Sequence, residues 1–77
     1  MSVSRRSETH DGVVHEYIVN SGNNDIEIDY EWIVDCRQER SRHTGTAALT
    51  PGEEMLLGTY DPRECKAQIT IETRRPR

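Results

Sequence analysis

The chain contains no phenylalanine, one tryptophan, three tyrosines, two cysteines and three prolines in 77 residues, and only 32% of it is hydrophobic. A chain of this length forms one domain, and so little apolar material makes for a thin core. No stretch approaches the roughly 18–20 apolar residues that a membrane-spanning helix needs, so no membrane span is expected. No apolar segment follows Met1, so no secretory signal is visible. The expectation is a cytoplasmic protein as encoded, or an extracytoplasmic one if the chain is a processed form with oxidised cysteines. A glycine-rich phosphate loop and a nucleophile elbow are both missing. The cysteines stand outside any Cys-x-x-Cys pair or paired-histidine spacing, which makes a poor zinc site. No enzyme, metal or cofactor is therefore expected.

What is present is charge, unevenly spread. The formal net charge is −4, yet Asp11 to Asp35 holds seven acids and no lysine or arginine. From Cys36 onward eight basic residues face six acids. This split suits acidic strands lying beside basic ones. It disfavours a duplex nucleic-acid partner, which needs a strong positive field on one face.

The apolar residues are phased, and phasing argues for a folded domain over a disordered chain. From Asp25 to Cys36, Ile26, Ile28, Tyr30, Trp32, Val34 and Cys36 fall on one face. Asp25, Glu27, Asp29, Glu31 and Asp35 fall on the other, interrupted only by Ile33. A period of two is the mark of a strand with one buried and one wet face. Val13 to Asn20 reads as an earlier strand ending at the turn cluster Ser21-Gly22-Asn23-Asn24. Arg42 to Thr50, Met55 to Tyr60 and Lys66 to Thr73 read as three more. Thr50-Pro51-Gly52-Glu53 and Asp61-Pro62-Arg63-Glu64 supply turns between them. The expected fold is all-β: a small antiparallel β-sandwich of about five strands over residues 13–73. A flexible leader, 1–12, precedes it and a basic tail, 74–77, follows.

Cys36 ends one strand and Cys65 opens another, so antiparallel neighbours would bring them together as a disulfide. Such a loop closure contributes about 3.6 kcal/mol in the chain-entropy picture. The competing reading is two reduced, partly buried thiols. Glu27, Asp29 and Glu31 share the wet face of the clearest strand. Alternate residues there are about 6–7 Å apart, too far for three carboxylates to share one ion at about 2.4 Å. A solvated face paired with Arg42, Lys66 or Arg74 is the better reading, and it could also dock a basic partner. His10, Asp11, His15 and His43 lack a third ligand at matching spacing. Trp32 and Tyr30 share the phase of the isoleucines and are expected in the core. Tyr60, beside a turn, is expected to be partly exposed. The arginines at either end are expected to be solvated.

Val19-Asn20-Ser21-Gly22 closing an early strand, the alternating aromatic strand through Trp32, and Ala48-Leu49-Thr50-Pro51-Gly52-Glu53 before a hydrophobic strand carry a resemblance. On these features the stretch from Tyr17 to Ile71 resembles the small immunoglobulin-like sandwich modules of bacterial surface and accessory proteins. The resemblance implies a binding or spacer role, in a chain with fewer strands than the seven usual for such modules. The expected function is a non-catalytic protein-interaction module, an accessory, inhibitor or adaptor, engaging a protein partner through a sheet face or an edge strand. Glu27, Asp29, Glu31 and Tyr60 are the candidate partner-binding residues. The alternative is a carbohydrate- or nucleic-acid-binding module that uses Tyr60 and the arginines. A homo-oligomer that completes its core by strand exchange is the structural alternative.

Overall fold

A computed structural model describes residues 3–74. Six strands follow one another: β1 (Val3–His10), β2 (Val13–Asn20), β3 (Ile26–Cys36), β4 (Arg40–Leu49), β5 (Glu54–Tyr60) and β6 (Cys65–Arg74). They form two three-stranded antiparallel sheets. Sheet I has the order β1-β2-β5 and sheet II the order β4-β3-β6. The described residues contain no helix, and hence none long and apolar enough to cross a membrane.

The count of five strands is corrected to six. Val3–His10, expected within a flexible leader, is a full strand paired residue for residue with β2, from Val3 opposite Asn20 to His10 opposite Val13. The two-residue connection is Asp11-Gly12, both at positive φ (51° and 79°). That is the chemistry of a type I′ hairpin turn, whose twist matches the strands on either side. At the far end, residue 74 of the expected tail still belongs to β6. The rest of that tail, 75–77, lies outside the described residues.

The central strands β2 and β3 supply the core. On β2 the inward residues Val14, Ile18 and Asn20 are buried; on β3 so are Ile28, Trp32 and Val34. Ile18 from sheet I meets Ile28 and Leu49 from sheet II, with Val3, Ile26, Met55, Leu57 and Ile71 packed around them. The period of two in β3 thus carries through to packing. Full burial of one such aliphatic side chain contributes about 1.5–3 kcal/mol, so a core this small is a modest source of stability. The sheets approach tightly at Gly58, where a Cβ would lie 3.0 Å from the Trp32 ring nitrogen. A β-bulge places Leu57 as an extra residue of β5 opposite Glu16 and Tyr17. The bulge shifts the phase of β5, so that Met55 faces the core on the same side as Gly58 and Tyr60, with Leu57 packed there too.

Asn20 knits the open end of the molecule. It is fully buried, its Nδ2 donates to the carbonyls of Asn24 (2.8 Å) and Leu49 (3.0 Å), and its Oδ1 accepts from Gly22 N–H (3.0 Å). Its backbone bonds both sides of the next turn, through Glu53 O and Gly52 N–H. That turn is closed by Glu53 N–H on Thr50 O, with Gly52 at φ 82°, as a Pro-Gly type II turn requires.

Candidate functional site

Because β3 is the middle strand of sheet II, its outward residues form the centre line of a face. Cross-strand register gives each one two neighbours. Asp35 lies between Arg40 and Lys66, Ile33 between Arg42 and Gln68, and Glu31 between Thr44 and Thr70. Asp29 lies between Thr46 and Glu72, and Glu27 lies opposite Ala48 and position 74. The face is therefore zoned. Cations crowd the end nearest the β3–β4 turn, and carboxylates alternate with threonines over the middle. Arg42 reaches diagonally to Glu31, with nitrogen–oxygen distances of 2.7 and 2.6 Å, which is one of the cross-sheet pairings expected from the charge split.

In the middle of this face lies a shallow depression of about 470 Å³ lined by Asp29, Glu31, Thr44, Thr46, Thr70 and Glu72, floored by Tyr30 and Gly45. On the inward side of the same strands Gly45 faces the Tyr30 ring. A Cβ at Gly45 would sit 2.7 Å from the Tyr30 hydroxyl, so only a residue without a side chain leaves room for the ring. The carboxylates are spread along the strand as the pleat dictates. Among the described residues no three or more His, Cys, Asp or Glu groups converge on a metal position.

Tyr60 is elsewhere. It belongs to sheet I, pairs with Val14, and sets its ring 6.0 Å from that of Trp32 between the layers. Burial, reinforced by the nearby Glu16 carboxylate, pushes its hydroxyl above the ordinary tyrosine range. The structure brings Glu27, Asp29 and Glu31 onto one surface and leaves Tyr60 off it. Stacking of an external base or sugar on Tyr60 would compete with Trp32 for the same ring.

Cys36 and Cys65 are directly opposed in the β3–β6 register, with Cα atoms 4.0 Å apart and sulfurs at disulfide distance. The bridge ties the end of β3 to the start of β6. The 37–39 turn is fixed beside it by Cys36 N–H on Glu39 O and Arg37 N–H on Glu64 O.

A second surface escaped the sequence reading. On the outer face of sheet I, the Arg6 guanidinium lies 4.2 Å over the Tyr17 ring. It pairs with Glu54 through two bonds of 2.7 and 2.8 Å and also with Glu8. Glu8 in turn contacts His10 at 3.1 Å, and the rings of His10 and His15 meet edge to face at 5.2 Å. Leu56, 51% exposed, lies opposite Tyr17 on the same face. Once β1 is placed, the alternation Arg6, Glu8, His10 predicts this row; without β1 it has no address.

No family model, curated protein or solved structure matches this chain.

Proposed function

We propose that the chain is a small immunoglobulin-like β-sandwich that acts as a non-catalytic protein-interaction module, holding a basic segment of a partner against the outer face of sheet II. The observation that carries this reading is the threonine-walled depression bearing Asp29 and Glu31 of the central strand β3 beside Glu72 of β6. Threonine side chains on a sheet have little rotamer freedom to lose on binding, and clustered carboxylates attract an arginine- or lysine-bearing segment. The fold assignment is supported by strand order. β1-β2-β5 facing β4-β3-β6 corresponds to strands A-B-E facing C′-C-F of the immunoglobulin plan, short of the last strand of the C′-C-F sheet. Fold alone does not select the partner, so the weight rests on the face.

The test is selection from a displayed random-peptide library on immobilised wild type and on Asp29→Lys/Glu31→Lys, with far-UV circular dichroism to verify that the variant folds. Wild type should enrich basic peptides, with capture fading as salt rises through the range where the Debye length falls below about 8 Å, and the variant should not. Enrichment of neutral or acidic peptides, or identical selections by both proteins, would sink the proposal.

A further inference from the structure

Sheet II has two edges, and β6 is the better suited of them to accept another strand. Among the described residues β6 pairs only with β3. Its inward isoleucines, Ile69 and Ile71, are half-buried rather than enclosed. They line an open cleft of about 260 Å³ with Thr73 and with Val3, Ser4 and Arg5 of β1 overhead. A strand laid along β6 would find backbone groups to pair with and apolar side chains to cover.

We infer that this strand is β6 of a second copy of the chain, paired antiparallel about a two-fold axis at Ile69, so that sheet II runs unbroken through six strands of two molecules. The inference goes beyond the partner-binding face and does not depend on it. Side chains must stay on matching faces, so a self-paired antiparallel strand can be centred only on a residue. Centring on Ile69 makes β6 complementary to itself. Lys66 falls opposite Glu72 twice, once on each side of the axis. Gln68 meets Thr70 on the outer face, while Ala67 meets Ile71 and Ile69 meets its own copy on the inner face. Centring on Gln68 instead would set Glu64 against Glu72, and centring on Thr70 leaves Glu72 opposite Gln68. Opposite charges across a pair favour a ladder and like charges oppose it, so the charges choose the Ile69 register.

A lysine on an exposed edge ordinarily blocks pairing. Here the same strand carries the acid that would answer it. Neither Lys66 nor Glu72 is in an ion pair among the described residues. Glu72 lies across from Asp29 on one side and faces the open edge on the other. The other edges lack this. β4 has Arg40 and Arg42 and no acid. The acid of β5, Glu54, is held by Arg6, and the one acid of β1, Glu8, is held by Arg6 as well, which leaves no acid on that edge to answer Arg5.

The experiment is sedimentation equilibrium of the full chain, wild type against Lys66→Glu and Glu72→Lys, with circular dichroism to confirm folding. Wild type should sediment as a monomer–dimer system. Each single variant should weaken self-association roughly tenfold or more, because like charges then face each other at both ends of the paired strand. An equimolar mixture of the two variants should recover dimers, since Lys66→Glu in one copy meets Glu72→Lys in the other, and the double variant should dimerise as wild type does. A wild-type chain that stays monomeric to millimolar concentration overturns the inference. So do single variants that dimerise as well as wild type, or a mixture of folded variants that remains monomeric.

Discussion

Asn20 shows how one polar side chain can hold a place usually given to an apolar one. Its position in β2 follows Val14 and Ile18 in phase, so alternation alone would assign it to the interior, and it is indeed fully buried. What alternation cannot give is the reason: three side-chain hydrogen bonds join the end of β2 to the following loop and to the end of β4. Two of those partners are more than one turn distant in sequence or belong to irregular backbone, so no local rule announces them. Asn20→Ala removes all three bonds and leaves a buried N–H and two carbonyls short of partners. The expected loss is about 2–4 kcal/mol, to be read from urea unfolding followed by the fluorescence of the single tryptophan, Trp32. A loss within a few tenths of a kcal/mol of zero would mean that the network is dispensable. Asn20→Asp should be destabilising too, because it replaces the Nδ2 donor by a second acceptor facing two carbonyl oxygens.

At the scale of strands, the sequence was most legible where a single pleat face decides burial. Val13–Asn20 emerges with the boundaries expected of it, and β3 loses only Asp25 from its expected span. β1 was lost because its inward residues are Val3, Arg5, Ser7 and Thr9, a row with almost no apolar contrast, although Asp11-Gly12 is the strongest hairpin signal in the chain. The carboxylate face of Glu27, Asp29 and Glu31 was legible for the same reason that the core was: both follow from period two. The separation of Tyr60 from that face was not, because it depends on which sheet β5 joins, a long-range choice that alternation leaves open. The cysteine pair falls between these cases. Strand ends could be read, and only the β3–β6 pairing makes Cys36 and Cys65 direct opposites. The loop that the bridge closes contains β4 and β5 entire, so the double variant Cys36→Ser/Cys65→Ser frees much of the chain in the unfolded state. It should lose up to about 3.6 kcal/mol, measured as a lower urea midpoint, with a slope no smaller than wild type because the freed unfolded chain exposes more surface. Wild type under reducing conditions should fall to the same midpoint. Equal midpoints for oxidised wild type and variant would show that the bridge contributes nothing.

As a whole, the molecule is a thin, elongated pair of layers, 42 × 22 × 15 Å, whose apolar interior is narrow enough that its polar margins matter. Two carboxylates at those margins, Asp61 and Glu8, are held in their charged form. Asp61, in the β5–β6 turn, accepts the Arg63 backbone N–H at 2.9 Å and lies beside the Arg63 guanidinium, and these hold its carboxyl below the usual range. Glu8 is held low by His10 and by Arg6 on the outer face of sheet I. A carboxyl whose folded pKa lies below its unfolded value of about 4 binds fewer protons in the folded state. Its stabilising contribution is complete above that unfolded value and is lost as pH falls through the folded one. The urea midpoint should therefore stay flat from neutral pH down to about pH 5 and decline below it. Asp61→Asn keeps an oxygen to accept the Arg63 N–H and suits the turn, but it cannot titrate. Its midpoint should lie slightly below wild type at neutral pH, and the gap should close in acid as wild-type Asp61 takes up its proton. A gap of the same size at pH 7 and pH 3 would mean that the Asp61 charge does not contribute, leaving the turn to its backbone bonds, Glu64 N–H and Cys65 N–H on Asp61 O.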